Sequence, residues 1–584
     1  MAKKKFYSKT SNSLLGKEQG VEIADERFKA DLCAKIHPHF LVANRILTHK
    51  NSTDTRLEEK SATALREIVD AGEQAARFYH DTQHFLAIAS SNEITDWLSA
   101  VRYRAGLNHD VVYHHVDLKG NDGVGFTPAI HNKLEKYIED GHPLKVKDDL
   151  NLSEDKLFKA AVLLFGYNED ERLKGNLKLN PLDRQNEFLS ALYAIEQGRA
   201  LGIPDKYILA EIVHIRATVP FGPPDIFSEI NKNLRIINDD LSTRDTLTNY
   251  DINRIMHSAV DMANTDVVDF KRDFGRDFLA NGYRLYYENA PEAYSNFNVP
   301  SGFLQTIAKQ EWFLSNIVMA GSQKGTNSVF HAFDSAPSAT VAKEWEEKAC
   351  QNIKALKVFT QANASAVMLL TSLYVAQGGD ARRELENYRD NPLPSQHPAE
   401  LSDSGMIVYN YLKHQNDGRG SLVTEPTALY LLERLGSDGV EKLYNLVNQT
   451  GIDPIEIGKE SKPGIRTHKT ASAFLSNAAK IFKEHGIEFE KVKKDLHCLL
   501  PPKNLPNISD RETPKAPTSA MFSSEKKYRK LIEQATKRNP KKDIVDEALG
   551  LTPKKPIPGT TISESDLPQP MTAIDIHTRS MRPN

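Results

Sequence analysis

The sequence predicts an all-α protein: a helical core, a second helical lobe and a disordered C-terminal tail. Three observations predict this. Apolar residues recur at three- and four-residue steps over most of the chain, the spacing of one helix face. Alternating apolar and polar runs long enough for strands are scarce. Composition changes at Pro501, beyond which twelve of the 29 prolines fall among many Lys, Ser and Thr and few aromatics. Such a stretch buries too little apolar surface to offset its ordering entropy.

Residues 1–54 form an N-terminal extension. Its start, Met-Ala-Lys-Lys-Lys, has a basic flank and no apolar segment behind it, so it is not expected to be a secretory signal. From Thr55 to Ile88 the residues Leu65, Ile68, Ala71, Ala75 and Phe78 repeat at helical spacing. The same holds for Lys156–Phe165, Glu187–Leu201, Ile252–Met262 and Phe303–Val318, with loops expected at Leu118–Thr127 and Leu144–Leu152. These make a core over residues 55–335. Val341–Tyr374 opens the helical lobe, residues 336–500, with a softer break at Gly378–Pro394. The tail, residues 501–584, is Pro/Lys-rich, with one short amphipathic helix expected at Glu525–Thr536.

Charge is nearly balanced, 75 Lys+Arg against 78 Asp+Glu, which argues against nucleic acid as a partner because phosphate contacts need a basic field. No apolar run approaches the ~18–20 residues that span a bilayer, so no membrane span is expected. Cys33, Cys350 and Cys498 are too far apart and odd in number for a disulfide framework or thiolate metal site, as in a reducing compartment. There is no Walker loop, dinucleotide-binding glycine motif, nucleophile elbow or kinase set.

The nineteen histidines carry more information. His80 and His84 stand at i and i+4, which on a helix suits joint metal ligation or joint contact with one phosphate. His214, inside the apolar run Tyr207–Ile215, reads as a hydrogen-bonded core residue. His257 and Asp261 are paired at i, i+4, and a buried Asp261 would need a histidine, arginine or metal beside it. Asn108-His109-Asp110, His114 and His115 read as a solvated, loop-like insertion.

In order, these segments resemble the catalytic fold of class I cyclic-nucleotide phosphodiesterases, within the wider HD superfamily. Tyr79-His80-Asp81-Thr82-Gln83-His84-Phe85 is similar to Tyr-His-Asn-x-x-His-Ala, and Ala217-Thr218 to part of Leu-Ala-Thr-Asp. The stretch from His257 to Asn264 is similar to His-x-Ala-Asp-x-x-Asn with one residue inserted before Asp261. Lys309–Val318 resembles the element that carries the family's base-reading glutamine and clamping aromatic, here Gln310 and Phe313 or Trp312. The resemblance covers roughly residues 55–330.

The family's central His-Asp, which bridges two metals, should end the helix Ala160–Leu164, where this chain has Phe165-Gly166. With only His84 and Asp261 left, a two-metal clamp is not expected, and neither is a metal cofactor. That departure resembles the phosphodiesterase domain of SidE-type bacterial effectors. The resemblance implies a metal-independent phosphodiesterase of a translocated effector, made in the bacterial cytoplasm and secreted into a host cell. Its substrate would be a phosphoribosyl-linked protein of ubiquitin type or a nucleotide diphosphate, and the tail resembles a translocation signal.

At such a metal-free site His80 or His84 attacks phosphorus, and His214 or His257 protonates the leaving oxygen. Glu169 or Asp261 holds the nucleophile's tautomer, and Arg172, or Arg216 beside Thr218, neutralises the phosphoryl oxygens. Gln310, Trp312 and Phe313 would hold a base by amide hydrogen bonds and stacking. Two alternatives stand beside this one: a degenerate member that binds without turnover, and a metal-dependent HD phosphohydrolase in which His109-Asp110 replaces the lost pair.

Overall fold

The computed structural model describes residues 15–502, apart from internal segments, chiefly 114–125, 148–154, 168–178, 180–183, 241–245, 273–277, 286–299, 316–327, 416–424 and 450–462. The Pro/Lys-rich tail, with the helix expected at Glu525–Thr536, lies outside the described residues.

The fold is all-α. The first half runs through α1 (Leu15–Thr48), α2 (Thr55–Gly72), α3 (Thr82–Ala89), α4 (Trp97–Asn108), α5 (Pro128–Leu134), α6 (Lys156–Leu164), α7 (Gln185–Leu201), α8 (Asp205–Ala217), α9 (Ile226–Asp240) and α10 (Asn249–Asp266). The second runs through α11 (Ala339–Ala376), α12 (Asp403–Gln415), α13 (Glu425–Gln449), α14 (Pro463–Glu484) and α15 (Phe489–Leu496). Among the described residues the only sheet is a two-residue antiparallel pair, Ile138–Glu139 with Lys145–Val146, the second strand lying in the expected loop Leu144–Leu152.

Two buried cores organise these helices. One gathers Ile36 to Ala263 together with Phe333, and the other gathers Val267 to Leu500. The change of core therefore falls near Val267 rather than at residue 335, and Phe303, Ile307 and Leu314 pack with the second core. α11 is long and apolar enough to cross a membrane, which corrects the expectation that no run approaches that length. Its most apolar window is 94% buried, so here it is the central helix of the second core.

In the first core that place belongs to α4. Every residue from Leu98 to Asn108 except Ser99 is buried, so the helix is covered on all sides. Asp96 and Ser99 close its N-terminus as a reciprocal capping box. α3 lies so close that a Cβ on Gly106 would stand 2.7 Å from the Ala89 backbone. Gly106→Ala should therefore force α3 and α4 apart and cost about 1–3 kcal/mol of stability, read as a lowered urea midpoint. An unchanged midpoint would show that the two helices part freely.

Candidate metal centre

The apolar repeat from Thr55 to Ile88 does not make one helix. α2 ends at Gly72 and α3 begins at Thr82, because Asp81 turns its carboxylate onto the His84 N–H at 3.1 Å and caps the new helix. His80 thus precedes the cap and His84 sits in the first turn, so the two do not share a helix face as expected. Their rings still meet edge to face, centroids 5.4 Å apart.

Arg77, buried in this break, donates to the backbone oxygens of Asp110 at 2.5 Å, Val111 at 2.8 Å and His80 at 3.4 Å. One guanidinium therefore fastens the turn before α3 to the end of α4. α7 is fastened to the same place, since the Val112 N–H donates to Ser190 Oγ at 3.1 Å.

These ties bring together His84, His109, Asp110 and Asp266, with one ligand-capable atom of each within 4.8 Å of the others. His84 Nε2 lies 3.3 Å from His109 Nε2, 3.1 Å from Asp266 Oδ1 and 3.6 Å from Asp110 Oδ2. His109 Nε2 lies 3.0 Å from Asp110 Oδ2 and 3.4 Å from Asp266 Oδ1. His109 Nδ1 is 2.9 Å from the Gly106 carbonyl, to which it donates its proton, so in the neutral ring Nε2 presents a lone pair. Two imidazole nitrogens and two carboxylates thus face one point, and only positive charge there reconciles them.

The protonation states express that demand. Burial pulls His84 down, but the Asp110 and Asp266 carboxylates outweigh it and raise it to about 9. His109 is likewise driven well above its usual range against the same burial. Burial pushes the two carboxylates up, yet the imidazoles hold Asp266 at about 2 and Asp110 well below the ordinary carboxylate value. On α7, one turn before Ser190, Glu187 feels the opposite field: burial and the charges of Asp110 and Asp266 push it up to about 8.

The other expected site residues fall in several places. His80 lies at the rim, 3.9 Å from Asp110 Oδ2, its ring stacked on Tyr113 at 4.4 Å. Asp261 is not among the four. It pairs with Arg102, and Asp266, one turn further along α10, takes the place expected of it. His257 lines a separate cleft with Asp261 and packs edge-on against Phe333. His214 is a satisfied core residue, its Nδ1 on the Ala210 carbonyl and its Nε2 on Ser258 Oγ, both at 2.8 Å.

Arg216 is buried, donates to the Leu164 carbonyl at 2.9 Å and stands over Phe165, and Thr218 Oγ1 donates to the Ile215 carbonyl. Gln310 is buried among residues of the second core. Glu169, Arg172, Trp312 and Phe313 lie outside the described residues. Phe165-Gly166 ends its helix without a ligand, and a His-Asp pair, His109-Asp110, stands at the end of α4 among the four converging residues.

Two outcomes follow. With no cation bound, His84 has its folded value raised above 6.5, so its contribution to stability is complete below about pH 6.5 and is lost as pH rises through about 9. Urea midpoints of chelated protein should fall from pH 6.5 to 9, and His84→Gln should flatten that limb; an equal slope in the variant would count against the cluster. His214, held neutral by burial at about 4, should cost about 1–3 kcal/mol as His214→Ala through lost hydrogen bonds and packing, while cation binding is unchanged by calorimetry.

Compared with known proteins, the chain matches no family model, no curated protein and no solved structure.

Proposed function

We propose that the chain is a divalent-cation-dependent phosphohydrolase of HD type, acting on a phosphate ester or diester. The observation that supports it is the convergence of His84, the adjacent His109-Asp110 pair and Asp266 from three helices on one point. A donor set of two imidazoles and two carboxylates suits Mn, Fe, Co or Zn better than Mg or Ca. The expectation of a metal-free site rested on Phe165-Gly166, whereas the pair at the end of α4 fits a cation. A cation held by these four side chains would neutralise a phosphoryl oxygen and supply a nucleophile from water at neutral pH.

The chain's own groups have separate tasks. Gly106 fixes the His109 tautomer by accepting its Nδ1 proton, which keeps Nε2 directed at the centre. His80, held at the rim by Tyr113 and by the Arg77 tie on its carbonyl, is placed to give a proton to a leaving oxygen. Glu187 stands on the α7 side of the centre, where burial and the charges of Asp110 and Asp266 push it up to about 8 while no cation is bound. The metal-free mechanism needs an imidazole free to attack, and His84 is instead committed to two carboxylates.

Purified full-length protein should bind about one equivalent of Mn²⁺ by calorimetry and hydrolyse bis(p-nitrophenyl) phosphate or a nucleotide only with the cation present. Asp110→Asn should abolish both binding and turnover. His80→Ala should keep the cation and lower kcat about 10²–10⁴-fold. Undiminished turnover in chelator would overturn this reading in favour of the metal-free histidine mechanism.

A further inference from the structure

The N-terminal half of α4 and the middle of α10 border a second, open cleft of about 400 Å³, whose lining includes Asp96, Arg102, Arg254, His257, Ser258 and Asp261. Arg254, His257 or Ser258, and Asp261 follow one another at three- and four-residue steps, so they share one face of α10. The cleft is distinct from the candidate metal centre. Seven residues separate His84 from Ser91 and Arg102 from His109, and five separate Asp261 from Asp266. At 1.5 Å per helical residue the two places lie roughly 8–11 Å apart along all three chain segments.

The charges in this cleft are arranged unevenly. The Arg102 side chain is 4% exposed, while that of its partner Asp261 is 63% exposed. Arg254, over the Trp97 ring, is 33% exposed and pairs with Asp96 at 38%. Arg102 is held from behind, donating to Ser91 Oγ at 3.1 Å and Thr265 Oγ1 at 3.3 Å. Arg102 is therefore fixed in the wall while the Asp261 that covers it stands in water, and Arg254 is half-exposed beside it. A buried guanidinium must keep an anion beside it, but nothing requires that anion to come from the protein.

We infer that this cleft binds a small phosphate-bearing molecule, whose phosphoryl oxygens replace the Asp261 carboxylate on Arg102 and reach Arg254 beside the capping Asp96. Two planar guanidinium groups match the paired oxygens of a phosphomonoester. The volume is in the range of small-ligand sites. The Asp261 carboxylate need only swing outward into solvent, where it already stands for most of its surface, while Asp96 stays in place as the cap of α4.

The test is calorimetric titration of the full-length protein with inorganic phosphate, AMP and glucose 6-phosphate, all in chelator so that the candidate metal centre is out of play. Phosphate common to the three should give binding in each arm, and the organic part sets their order. Arg254→Gln should weaken binding about tenfold. Asp261→Asn should strengthen it about tenfold, because it removes the anion that competes for Arg102. Should Asp261→Asn fail to fold with Arg102 left uncovered, Asp96→Asn, on the exposed pair, should show the same gain. No binding in any arm, or equal affinity across the variants, would overturn the inference. Because the titration needs neither cation nor turnover, its failure is separate from failure of the phosphohydrolase reading.

Discussion

A fully buried guanidinium holds the first core together. Arg104, midway along α4, donates to Glu211 Oε2 at 3.1 Å, Asn44 Oδ1 at 2.8 Å and Gln197 Oε1 at 3.0 Å. Asn108, one turn on, adds bonds to Glu211 at 2.7 Å and Gln197 at 3.1 Å. One charge thereby joins α4 to α1, α7 and α8. Removing one partner of such a pair costs about 3–5 kcal/mol, because the other charge is left buried without compensation. The orientation of α4 is consequently fixed about its axis and along its length, and so are His109 and Asp110, which follow directly after it.

The two buried charge systems on α4 differ in a way that separates scaffold from site. Around Arg104 one cation meets one carboxylate and three amides, and the charge is balanced within the protein although Asn108 Oδ1 accepts no bond. Around His109 two carboxylates meet two imidazoles whose lone pairs face inward, and the set closes only with protons or a cation from outside. Glu187 reports the same deficit from the next helix, since it stays protonated rather than add a third negative charge. A network that is satisfied stabilises a core, whereas one that is incomplete invites a ligand.

The sequence made the fold class legible because helical periodicity survives in nearly every described segment, and of the two roles it leaves open for His214, core residue or proton donor, the hydrogen bonds to Ala210 and Ser258 favour the first. It hid the centre for three local reasons. Ala75 and Phe78 continue the apolar repeat across residues 73–81, which masks the turn that Asp81 caps. His109-Asp110 reads together with His114, His115 and the glycines from Gly120 on as a solvated insertion, although the helix before it and Val111 and Val112 after it are buried. Asp261 fits a motif with one insertion, but on α10 it faces Arg102, and the side chain that reaches the imidazoles is Asp266. Glu187 has no distinguishing sequence context, because a glutamate in a first helical turn is ordinary.

The placement of the ligands on their helices is the last indication of what the centre wants. His109 is the C-cap of α4, Asp110 comes directly after it, and Asp266 is the final residue of α10. The carbonyl end of a helix carries about half a negative charge, so it favours Lys, Arg or His⁺ and disfavours carboxylates. His109 at the end of α4 obeys that rule, whereas Asp110 directly after it and the half-buried Asp266 at the end of α10 are carboxylates placed against it. Two helix ends and two carboxylates of the same sign are therefore directed to one region, against the local rule for ending a helix. Such an arrangement persists where the fold over-determines it and a positive charge completes it. Protonated His84 and His109 can be that charge, and a divalent cation would supply it while leaving both imidazoles neutral.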